Sequence, residues 1–156
     1  MTRHPSDLVF FLQKSSNLLN QLIEDAAQRW QLSTPEMRIL LFLDQMPEKD
    51  TARDVALYCG MSKASVSGNV LKLATRGLLT VDVDLKDRRF QHLTLTEQAD
   101  SILNDSRVLF AQTDAQLLGI LEKEEQQQFL TLLRKMNCHL GCTDTLTTNT
   151  SETGKD

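Results

Sequence analysis

Residues 62–79 read SKASVSGNVLKLATRGLL, and this stretch decides the fold. Val66, Val70, Leu73 and Ala74 recur at helical spacing, with Ser62 placed to cap the start and Gly77 to stop the end. Between the apolar positions stand Ser65, Ser67, Gly68 and Asn69, a poor helix interior in which glycine alone costs about 1 kcal/mol relative to alanine. The weak helix formers therefore lie on the outward face. Just upstream, "ARDVALYC" is a short helix capped by Asp50 or Thr51 and broken by Gly60, so two helices meet at a tight turn.

Working outward, the period changes from 3.6 to 2 after Gly77. Leu79, Val81, Val83 and Leu85 alternate with Thr80, Asp82 and Asp84 as a half-exposed strand, and "FQHLTL" alternates likewise. The polar "KDRR" between them is a hairpin tip. Thr96 caps a long helical stretch with Ile102, Leu109, Phe110, Leu117 and Leu121 as its stripe, and a last helix carries Phe129, Leu130, Leu133, Met136 and Leu140. Toward the N-terminus, "LSTPEMRILLFLDQM" predicts a helix with Thr34 as N-cap, Pro35 at the first helical position, Glu36 in the first turn and Pro47 ending it. The first helix starts at Ser6 or Asp7 and runs to about Arg29, with Leu8, Phe11, Leu12, Leu19, Leu22, Ile23, Ala26 and Trp30 recurring at helical spacing. Residues 143–156, rich in Thr, Ser, Asn and charge, have no core to join and read as a disordered tail.

Composition limits the function classes. A chain of 156 residues, 40% hydrophobic, suffices for one compact domain or two small lobes. The apolar run Leu8–Leu12 is too short for a membrane span or a signal peptide, so a cytoplasmic protein without membrane contact is expected. Cys59, Cys138 and Cys142 cannot all pair within one chain, and reduced thiols are the default. Net charge is -4, yet residues 51–95 hold seven basic and four acidic side chains, +3, which leaves -7 elsewhere. The asymmetry suggests a basic face on an acidic body, as a nucleic-acid binder carries, although a few surplus charges also arise by chance. His4, His92 and His139 are scattered, with no nucleophile-base spacing and no Gly-rich phosphate loop, so no enzyme and no cofactor is expected.

Helix, tight turn, helix and hairpin with a basic tip make a winged helix-turn-helix, in which Ala56, Gly60 and Val66 supply the small contact, the turn and the branched apolar anchor. An ordinary helical hairpin beside a β-ribbon is the plainer alternative. The chain resembles the MarR family of transcriptional regulators, through "LSTPEMRIL", "LYCGMSKASVSGNVLKLATRGLL", "DRR" in the wing and "LTLTEQA", from the first helix to about Leu140. The resemblance implies a mainly α fold with a small β-hairpin wing. Its winged helix-turn-helix would span residues 34–96, with dimerisation helices at 1–33 and 97–142. It also implies a homodimer on double-stranded DNA, recognition helices in successive major grooves, wing arginines in the minor groove, and commonly a repressor released by a small molecule, an oxidant or a metal. Many members carry arginine and a large aliphatic residue where this chain has Gly68 and Asn69.

The candidate DNA-binding residues are Ser62, Lys63, Ala64, Ser65, Ser67, Gly68, Lys72, Arg76, Asp87, Arg88 and Arg89. Short side chains on the recognition helix permit close approach to base edges, although Gly68 also fits as a tolerated surface glycine. Lys63, Lys72 and Arg76 are expected on phosphates, and Arg89 in the minor groove with Asp87 bracing a guanidinium. A solvated charge run is the bland alternative for the tip. Cys138, His139 and Cys142 read as ordinary residues first and as a thiol or metal sensor second, since zinc wants four ligands and three stand here. A protein-interaction module and a constitutive DNA-binding protein without effector remain the rival functions.

Overall fold

The computed structural model describes residues 7–84 and 91–139. Its elements run α1 (Asp7–Arg29), α2 (Thr34–Gln45), α3 (Ala52–Tyr58), α4 (Lys63–Thr75), β1 (Leu79–Val83), β2 (Gln91–Leu95), a 3-10 turn (Glu97–Ala99), α5 (Asp100–Leu118) and α6 (Lys123–His139). The chain divides after Gln112 into two compact units.

In the first unit the core gathers around α2, where Met37, Ile39 and Leu40 are fully buried. Val55 from α3, Val66 and Leu73 from α4, Leu79 and Leu93 from the hairpin, and Ile102 and Leu103 from α5 complete it. Of α1 only the final turns, Ile23, Ala26 and Ala27, join this core. Gln31 then takes a left-handed conformation at φ 52°, and Leu32 N–H donates to Ala27 O at 2.9 Å, closing the helix end.

The N-cap of α2 is Ser33, one residue before the expected Thr34. Ser33 Oγ accepts from Glu36 N–H at 3.4 Å, and the Glu36 carboxylate accepts from Ser33 N–H at 2.7 Å. A cap at Thr34 would set Met37 at the third helical position and lose the returning carboxylate. Thr51 caps α3 and Ser62 caps α4 through their hydroxyls. Gly60 at φ 63° makes the turn between these helices, and Gly77 at φ 71° turns the chain out of α4.

The antiparallel hairpin pairs Leu79 with Leu95, Val81 with Leu93 and Asp82 with His92. Thr51 bridges to His92, and Leu93 N–H donates to Asp50 O at 2.8 Å, which ties the segment before α3 to the free edge of β2. The expected apolar alternation fades along β1: Leu79 is buried, Val81 half-buried and Val83 exposed, because the strand runs off the end of the core. Thr96 gives α5 no side-chain cap. Its hydroxyl donates to Gly77 O instead, and the 3-10 turn precedes the helix.

In the second unit, Gln126 Nε2 donates to the carbonyls of Leu118 and Leu121, each at 3.0 Å, closing the turn between α5 and α6. The Glu125 carboxylate accepts from Glu122 N–H at the start of α6. No helix among the described residues is long and apolar enough to cross a membrane.

Candidate nucleic-acid interface

Helix α4 divides along its length. Val66, Val70 and Leu73 point into the core, while Ser62, Lys63, Ala64, Ser67, Gly68, Lys72 and Arg76 are exposed. Ser62 Oγ accepts from Ser65 N–H at 3.1 Å, so the first turn is closed by a side chain rather than by water. Ser65 is half-buried and accepts twice from the Asn69 amide, at its carbonyl (2.7 Å) and at its hydroxyl (3.4 Å). These bonds link the two weak helix formers within one turn. At Gly68 the backbone is ordinary helix and an added Cβ would meet nothing within 4 Å, so neither turn geometry nor crowding inside the protein requires glycine there.

The basic side chains fall into two groups. Lys63 and Arg53 line a groove of about 510 Å³ between the start of α3, the flank of α4 and the hairpin, with Ser67, Leu71, Val81 and Gln91 among the other walls. Arg76 is engaged differently: its guanidinium donates to Trp30 O at 3.0 Å and Gln31 O at 2.8 Å, docking the end of α4 on the turn that follows α1. Lys72 lies on the exposed face between them.

Asp87, Arg88 and Arg89 lie outside the described residues, as do Cys142 and residues 143–156. Cys138 and His139 fall in the last turn of α6, and their side chains are likewise undescribed. Cys59 is half-buried, with Sγ 3.9 Å from Arg38 O. Burial pushes its thiol above the ordinary value while Arg38 pulls the other way, and a thiol held protonated is a weak nucleophile.

Two exposed residues near this face escaped the sequence reading. Leu71, 69% exposed, projects from α4 beside Ser67 and Lys72, and Arg53 joins Lys63 although ten positions separate them in the chain. The charge of Arg53 was legible, but its convergence with Lys63 depends on how α3 packs on α4.

Comparison with known proteins agrees with this architecture. Residues 30–89 match the MarR family. Transcriptional regulator HosA of Escherichia coli is 28% identical over 127 residues, covering 79% of this chain and 94% of that protein. The crystal structure of the Staphylococcus aureus MepR-DNA complex superposes with a TM-score of 0.69 at 19% identity, covering 88% of this chain and 99% of that one. CouR from Rhodococcus jostii, bound to p-coumaroyl-CoA, gives 0.66 at 20% identity over 83% and 91%. A MarR family regulator from Silicibacter pomeroyi gives 0.74 at 20% identity over 86% and 90%. At such identities the superpositions establish the fold.

Proposed function

We propose that this chain, whose residues 30–89 match the MarR family, a family of transcriptional regulators and not enzymes, binds a pseudo-palindromic DNA operator as a homodimer and represses transcription. The observation that carries this reading is the outward face of α4, short and polar from Ser62 through Gly68, with Lys63 and Lys72 at its ends and no bulk to hold a base edge away. Ser62, Ala64, Ser65, Ser67 and Gly68 face the bases. Lys63 and Lys72, joined by Arg53, meet phosphates and set the register. Arg76, with two donors given to the Trp30 and Gln31 carbonyls, sets the seating of α4 at the end of the dimerisation helix as well as adding charge. Arg88 and Arg89, with Asp87, enter the minor groove.

The large apolar side chains exposed on α1 and α6 support the dimer, since each helix leaves in water a stripe that a second copy would cover. A small organic effector fits better than an oxidant at the one described cysteine, because the Cys59 thiol is held protonated; the ligand in the CouR structure is of the organic kind. A cytoplasmic site of action goes with this reading.

Selection from a randomised duplex pool tests the reading, followed by titration of the selected duplex at two salt concentrations. A two-fold symmetric sequence with half-sites about ten base pairs apart and a steep salt dependence is the expected result. Salt-independent binding, or no enrichment, would favour the protein-interaction module. A small-molecule panel on the same duplex then separates an effector-responsive repressor from a constitutive binder.

A further inference from the structure

A second polar cluster lies at the loop end of the hairpin strands, next to Thr51 and Gln91, which line the groove with Lys63 and Ser67. His92 is on β2, in register with Asp82, and its ring stands between two carboxylates from other parts of the chain. Nδ1 is 2.9 Å from Asp50 Oδ1 and Nε2 is 3.4 Å from Asp84 Oδ2. An ionised carboxylate only accepts, and a neutral imidazole has a single N–H. Both contacts are hydrogen bonds only when the ring carries two protons. In the neutral ring one nitrogen lone pair faces a carboxylate, and that contact turns repulsive.

The three residues come from the elements whose mutual angle defines a wing. Asp50 precedes α3 and its carbonyl accepts from Leu93 N–H, Asp84 follows the end of β1, and His92 lies between them on β2. The two carboxylates meet different ring nitrogens, so the cluster clamps three segments rather than chelating at a point. We infer that His92 is a positioning residue for DNA binding: as an imidazolium bridging Asp50 and Asp84 it holds the hairpin to the segment that leads into α3, and thereby couples DNA affinity to proton uptake. The DNA part of this inference rests on the function proposed above.

Among the described residues, the other charged groups on the surrounding segments are Glu48 and Lys49 before α3, Arg53 and Asp54 in its first turn, and Asp82 on β1. Asp54 accepts from the Thr51 hydroxyl. The hydrogen bond to Asp50, then that to Asp84, raises the His92 pKa above the ordinary imidazole value, and partial desolvation opposes them. The raised value belongs to the folded state, so the clamp is complete below about pH 6.5 and is lost as pH rises through the higher folded value. Affinity therefore falls with rising pH across the neutral range.

The test uses the full-length protein in three forms: wild type, His92→Gln and Asp84→Asn. In the free protein, imidazole resonances followed against pH should show His92 titrating above 6.5, and lower in Asp84→Asn than in wild type. Binding to the selected duplex at pH 6.0, 7.0 and 8.5 and constant ionic strength should weaken roughly three- to tenfold in wild type, tenfold being the change that accompanies a pKa difference of about one between the free and the bound protein. His92→Gln should give a flat profile near the wild-type value at high pH. His4 and His139 persist in both proteins, so the difference isolates His92. Parallel profiles in wild type and His92→Gln, or titration of His92 at or below 6.5, would overturn the inference. Failure to enrich any duplex would instead refute the DNA reading. The clamp would then stand or fall on the titration and on Leu93 amide exchange, which should accelerate at high pH in wild type beyond its pH dependence in His92→Gln.

Discussion

Helices α1 and α4 both turn a face to water, and the two faces have opposite chemistry. Along α4 the exposed residues near the first turns are Lys63, Ala64, Ser67 and Gly68, so almost no apolar area is left uncovered until Leu71. At the start of α1 the exposed side chains are Val9 at 68%, Phe10 at 66% and Phe11 at 62%, flanked by Leu8 and Leu12. Five consecutive apolar residues at 100° steps go round the whole helix, so no single surface of one protomer could cover them. Removing apolar area from water returns about 25 cal/mol per Å², which drives the first turns of α1 toward another protein surface. The face of α4 gains nothing of that kind. Its short polar groups instead admit the close approach of a hydrated, charged partner. Exposure thus has two meanings here, and side-chain size separates them. Helix α6 is of the first kind, with Phe129, Leu130, Leu132 and Met136 exposed.

The sharpest way to break this contrast is to give α1 the chemistry of α4. The double substitution Phe11→Glu, Leu19→Glu should convert a dimer into a monomer in sedimentation at micromolar concentration. Operator affinity should fall at least a hundredfold, because two half-sites can no longer be held together. A dimer that survives would place its seam elsewhere than on the first helix. Next in size, Leu73→Ala on the buried side of α4 should cost about 3 kcal/mol in urea unfolding, as expected for a fully buried leucine. A cost below about 1 kcal/mol would mean that this side of α4 is not part of the core.

Arg89→Ala is expected to weaken operator binding by about 1–3 kcal/mol with fold and dimer intact, the range of one good groove contact. A loss no greater than that of a remote lysine variant would remove the wing from the interface. Smaller still, Lys63→Ala should lower the salt slope by about one, whereas Arg76→Ala should cost about 1 kcal/mol of stability through its two carbonyl bonds. Gly68→Ala closes the series. With no atom within 4 Å of the new Cβ it should stabilise the free protein by up to about 1 kcal/mol while reducing operator affinity, and glutamine there should reduce it further. Equal or tighter binding by the alanine variant would show that α4 does not seat closely at that point.

What the sequence determined by itself is local in origin. Although the choice of Thr51 over Asp50 as the cap of α3 came from the structure, the positions of the helices, the cap at Ser62, the breaks at Gly60 and Gly77, and the division of α4 into a buried and an outward side all follow from groups within four residues of one another. Ser33 belonged to that class too, since the Ser-x-x-Glu pairing with Glu36 is written in the chain, and Thr34 was the wrong member of an adjacent pair. The tertiary structure decided everything that joins distant segments. Arg76 meets carbonyls 45 and 46 positions away, Arg53 converges on Lys63 across a turn, and His92 reaches Asp50 over 42 residues. Periodicity reports which side of an element is buried. It carries no information on which partner waits there, because that depends on packing angles set by the whole core.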